Sequence, residues 1–194
     1  MPSPMAGTMP PRAPTKPDRA ALLAAAGGRV PDLIEPGLRV LFFGINPGLY
    51  SAATKHHFAR PGNRFWPALH AGGFTARIVA PWEEGELLEL GLGITNLVAR
   101  ATATAAELSP EELVAGRRRL ERKVARYRPA WVAVLGVGAY RAGFRRPKAG
   151  LGRQPERVGS ARLWVLPNPS GLNAHHQPRD LAAAFAELRR ASIR

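Results

Sequence analysis

Leu38-Arg-Val-Leu-Phe-Phe-Gly44 is an almost unbroken apolar run that stops abruptly at the turn-forming string Gly44-Ile-Asn-Pro-Gly48. A strand with one wet face alternates apolar and polar residues, whereas a strand buried on both faces of a parallel sheet does not. The run therefore predicts a central strand that needs helices above and below it. Leu90 to Leu97, Trp131 to Gly136 and Arg162 to Pro167 read as three further strands. Helical signals fall between them. Asn63 heads a helix to about His70, with Pro67 tolerated in its first turn and Gly72-Gly73 beyond it. Ser109-Pro110-Glu111-Glu112 is a capping box opening a helix to about Tyr127. Shorter helices are expected over Asp18–Ala26, Val137–Phe144 and Arg179–Ala191. Such alternation implies right-handed crossovers, so the expected fold is α/β: a three-layer α/β/α domain around a short, mainly parallel central sheet. Residues 1–17 hold six prolines and read as a disordered tail, leaving residues 18–194 as one domain.

Composition narrows the chemistry. The chain has no Cys, which excludes disulfide scaffolds, iron–sulfur clusters and Cys-ligated zinc. No apolar run approaches the ~18 residues of a membrane span, and no secretory signal is evident, so a cytoplasmic, nucleoid-associated bacterial protein without membrane contact is expected. Net charge is +14, from 28 Lys and Arg against 14 Asp and Glu. Pro36 to Trp82 contains no acid, yet carries Arg39, Lys55, Arg60, Arg64 and Arg77. A surface so biased suits a polyanion, with nucleic acid the leading candidate; an Arg-rich solvated surface is the plainer alternative.

In open parallel sheets ligands bind beyond the carboxyl ends of the strands. Two loops there are unusual: Gly44-Ile-Asn46-Pro-Gly48, and Asn168-Pro-Ser-Gly-Leu-Asn-Ala-His-His176. Each puts Asn-Pro where a strand stops. Other motifs fall away. Gly136-Val-Gly138 lacks the third glycine of a dinucleotide fingerprint, and no Walker-type lysine occurs. The pairs His56-His57 and His175-His176 are adjacent in sequence, a poor arrangement for one metal ion, and no nearby acid completes a site. No carboxylate pair flanks either loop, as sugar hydrolases would require.

Gly44-Ile-Asn-Pro-Gly-Leu49, Phe58-Ala-Arg-Pro-Gly-Asn-Arg-Phe-Trp66, Gly93-Ile-Thr-Asn-Leu-Val98 and Asn168-Pro-Ser-Gly-Leu172 together resemble the mismatch-specific uracil-DNA glycosylase and thymine-DNA glycosylase branch of the uracil-DNA glycosylase superfamily. The resemblance spans about residues 36–190. It implies a cofactor-free, metal-free monomer that flips uracil, thymine or a related lesion out of G:U or G:T mismatches in double-stranded DNA. The N-glycosidic bond is then hydrolysed, leaving an abasic site. By resemblance Asn46 is the catalytic residue, orienting water rather than taking its proton. Gly44, Ile45, Ser51 and Phe58 form the base pocket, with Phe58 stacking on the everted base. Ser170, Gly171, Leu172 and Asn173 supply the wedge and mismatch reading, and Lys55, His175 and His176 lie near the DNA backbone. Bacterial relatives commonly carry Asp where this chain has Ala99, and some carry Arg where it has Ala174. Ala99 keeps a second reading open: a non-catalytic, or engineered-inactive, binder of mismatches or abasic sites. A small-nucleotide hydrolase using the first loop as a phosphate cradle is a third.

Overall fold

In the computed structural model, residues 13–171 and 176–193 are described. They form a five-stranded sheet in the order β2-β1-β3-β5-β4. The strands are β1 (Val40–Gly44), β2 (Leu92–Asn96), β3 (Trp131–Leu135), β4 (Gly152–Val158) and β5 (Ala161–Leu166). β2, β1, β3 and β5 run parallel, and β4 pairs antiparallel with β5 at one edge.

The unbroken apolar run has the predicted consequence: all five residues of β1 are buried. Val40 and Phe42 enter one core with Phe65, Leu69, Leu181 and Phe185. These last four come from α3 (Phe65–Ala71) and α7 (Pro178–Ile193). Leu41 and Phe43 enter a second core with Leu120, Val124, Tyr140 and Phe144. Those belong to α5 (Pro110–Tyr127) and α6 (Val137–Phe144). The alternation of strand side chains thus sorts one continuous hydrophobic string into two layers. This is the expected three-layer arrangement.

Local signals act as written. Ser109 Oγ accepts from Glu112 N at 3.2 Å, and Glu112 Oε2 accepts from Ser109 N at 2.9 Å, closing the capping box. Arg100 binds the same carboxylate and holds its pKa down at about 2. Asp18 caps α1 (Arg19–Ala24), and Asn63 Oδ1 accepts from Phe65 N at the start of α3. Three elements were not anticipated. α2 (Leu49–Thr54) begins directly after Gly48, α4 (Glu86–Glu89) precedes β2, and β4 lies in the polar stretch Gly-Arg-Gln-Pro-Glu-Arg-Val. β4 is an edge strand with alternating burial, so it lacks the apolar signature of the other four.

Candidate active site

β1, β2 and β5 end at one edge of the sheet, and their terminal loops enclose a cleft of about 280 Å³. Both sequence-flagged loops reach it. Gly44, Ile45, Asn46, Ser51, Phe58 and Ser170 all line it. No carboxylate does among the described residues, and Arg60 is the one charged side chain at its wall.

The first loop is stitched to the segment after β2. Leu97 N donates to Gly44 O at 2.9 Å, Val98 N to Ile45 O at 2.8 Å, and Thr102 N to Pro47 O at 3.2 Å. Asn46 is fixed by the same segment. Its Nδ2 donates to Arg100 O at 3.1 Å, Thr102 Oγ1 at 2.7 Å and Pro47 O at 3.2 Å. Two of these partners are carbonyls, which can only accept, so the amide has one admissible orientation. Thr102 Oγ1 donates its own proton to Thr104 O at 2.7 Å, which commits the hydroxyl to accepting from Asn46. Nδ2 therefore faces protein, and Oδ1 remains as an acceptor for a ligand or water in the cleft.

Thr102 was not singled out from sequence, because it stands 56 residues from Asn46 in an unremarkable Ala-Thr-Ala-Thr string. Its removal has a defined consequence. Thr102→Val keeps the shape but loses the acceptor, and should slow single-turnover base release about tenfold with little change in melting temperature, in line with ~1–3 kcal/mol for an unmet polar group. An unaltered rate would show that the two carbonyls alone suffice.

Phe58 sits at φ 51°. The left-handed region costs a non-glycine residue ~1–2 kcal/mol, so surrounding bonds must hold it there. They do. His57 N donates to Glu84 Oε2 at 2.9 Å, Trp66 Nε1 donates to His57 O at 3.2 Å, and Ala59 N donates to Ser51 Oγ at 3.2 Å. Ser51 thereby anchors the loop that carries Phe58. The Phe58 ring stacks on Phe65 at 4.3 Å, backed by the core, and its edge stands over Gly44. A Cβ on Gly44 would lie 3.5 Å from the ring and 3.3 Å from Asn96 Oδ1, so glycine leaves this corner of the cleft open. Asn96 itself pairs in register with Gly44 and lines the cleft. It sat within a quoted motif but was not assigned a role; an amide at the carboxyl end of a strand beside β1 was the available signal.

His57, at 2% exposure, also lines the cleft. Its Nε2–H donates to Pro31 O at 2.9 Å. Burial, the largest influence, pushes its pKa below the usual value against the opposing pull of Glu84. A folded state that resists protonation binds fewer protons than the unfolded chain. Stability is therefore full above the unfolded pKa of about 6.5 and falls as pH drops through it. The melting temperature should decline between about pH 6.5 and pH 5, and less steeply in His57→Gln. A parallel decline in both proteins would place the titration elsewhere.

A model of the Uracil DNA glycosylase superfamily matches residues 31–189. The chain belongs to that superfamily. Among solved structures, it is similar to the solution NMR structure of a candidate uracil DNA glycosylase from Methanosarcina acetivorans. That match has a TM-score of 0.54 and 19% identity, covering 84% of this chain and 98% of the other. At that identity the likeness speaks for the shared fold: a mainly parallel sheet between helical layers.

The remaining expected residues of the superfamily site fall as follows. Ser170 lines the cleft, and Gly171 is pressed against the Arg60–Arg64 loop. His176 lines a neighbouring groove that shares Ile45, Asn168 and Ser170 with the cleft. Lys55 is exposed and donates to Arg29 O at 3.3 Å, outside the cleft wall. Ala99 also stands outside that wall. Leu172, Asn173 and His175 lie outside the described residues, as do residues 1–12 of the expected tail.

Proposed function

We propose that the protein extrudes uracil, and by extension thymine or a related lesion, from mismatches with guanine in duplex DNA and hydrolyses its N-glycosidic bond. In this reading it acts as a monomer of the mismatch-specific branch. The observation that carries it is the amide of Asn46, locked through Nδ2 with Oδ1 left for water, in a carboxylate-free cleft beside a half-exposed aromatic ring.

An amide oxygen accepts a hydrogen bond but takes no proton at neutral pH, so Asn46 orients water rather than deprotonating it. The C1′–N1 bond breaks with its electron pair passing to the base. Water oxygen bonds to C1′, and its proton is released to solvent. The barrier falls through positioning, and through the polar wall that receives the departing anion. Such weak chemical assistance favours good leaving groups, uracil before thymine. Phe58 offers a stacking face to the everted ring, while the Asn96 amide, with both an acceptor and donors, suits the edge of a pyrimidine.

Base release from duplexes carrying uracil, thymine or ethenocytosine opposite each normal base tests the proposal. Release of free uracil, fastest opposite guanine, is expected. Tight binding to an abasic duplex with no release over hours would replace it with the non-catalytic reading.

A further inference from the structure

Arg64 joins the two motif loops in a way the mechanism above does not use. Its Nη2 donates to Ser170 O at 2.8 Å, and its Nη1 donates to His176 O at 2.6 Å. These carbonyls bracket the turn that follows the last strand, six residues apart. Arg64 N donates to Pro169 O at 2.9 Å as well. Beside it the backbones are in close approach: a Cβ on Gly171 would stand 2.4 Å from Gly62 O. One side chain thus grips both ends of the turn, and its own backbone joins the near end to the loop that presents Phe58.

The geometry points to Arg64 as a positioning residue that clamps the Ser170–His176 turn and so sets how readily a paired base is extruded. This rests on the glycosylase reading and goes beyond it by assigning a function to a guanidinium that would otherwise pass for one more DNA-attracting charge. The fork is what matters. A guanidinium spans two carbonyls at fixed separation, whereas an ammonium is a point donor on a flexible stem. Ordering the turn before DNA arrives removes an entropy cost that would otherwise fall on the extrusion step.

The test compares two duplexes: uracil opposite guanine, and uracil opposite a stable abasic analogue. With no partner base to part from, the second needs less from the turn. Arg64→Met should slow single-turnover release about tenfold on the first duplex and no more than about twofold on the second. Arg64→Lys, which keeps the charge and loses the fork, should behave like Arg64→Met. Equal losses on both duplexes, or a wild-type rate for Arg64→Lys, would overturn the clamp. Amide hydrogen exchange reads the clamp without any activity: Ser170 to Gln177 should exchange faster in both variants while the sheet is unchanged, and unaltered exchange there overturns it. Failure of the wild-type protein to release uracil from either duplex would instead sink the glycosylase reading, with exchange still deciding the clamp.

Discussion

Asn46→Ala should abolish nearly all uracil release while leaving DNA binding in place. The expected loss in single-turnover rate is about a thousandfold, ~4 kcal/mol, comparable to removing a fixed polar group aimed at a transition state. The magnitude follows from the wall of the cleft. No carboxylate is present among its described residues to take over the water, so nothing stands in reserve. Affinity for the duplex should change by no more than about twofold, because the amide acts on the water rather than on the phosphates. Asn46→Asp should be no rescue. It would aim a carboxylate oxygen at Arg100 O, Pro47 O and Thr102 Oγ1, all acceptors toward this position. Such a carboxyl would favour its protonated form, so that variant should gain stability as pH falls. Near-normal cleavage by Asn46→Ala would remove the mechanism altogether.

Phe58→Ala is expected to reduce kcat/KM by about tenfold to a hundredfold, since stacking of a base on an aromatic ring contributes ~1–3 kcal/mol. The comparison that separates stacking from packing is Phe58→Leu. Leucine retains much of the contact with Phe65 but offers no flat face, so it should resemble alanine in activity while melting closer to wild type. Phe58→Tyr should remain active. Because Phe58 is only half-buried, its truncation should destabilise by less than the ~3–5 kcal/mol of a core phenylalanine. Full activity in Phe58→Leu would return the ring to a packing role.

Glu84 shows why the support of this site was harder to read than its front. Asn46, Phe58 and Ser170 sit in loops whose composition is visible in the sequence, since asparagine, proline and glycine cluster where strands stop. The groups that aim them do not advertise themselves. Glu84 holds the His57 amide from a polar insertion between α3 and β2, and also meets His56 Nδ1 at 3.1 Å. Thr102 orients Asn46 from across the sheet edge, and Pro31 O fixes the His57 tautomer from the strap ahead of β1. Each is an ordinary residue type whose role exists only once the chain has folded.

The sequence by itself determined the layering, because fully apolar strands between amphipathic helices have one economical way to bury both faces. It also determined which loops lie at the carboxyl edge, and one helix start through a local capping box. The tertiary structure alone decided which way the Asn46 amide points, that a phenylalanine is held left-handed beside it, and that Arg64 grips both ends of a turn more than a hundred residues away. It also decided where the polar edge strand β4 pairs. The division has a physical basis. Periodicity and capping act over a few residues and are written locally, whereas hydrogen-bond orientation depends on partners that only long-range strand register brings within 3 Å.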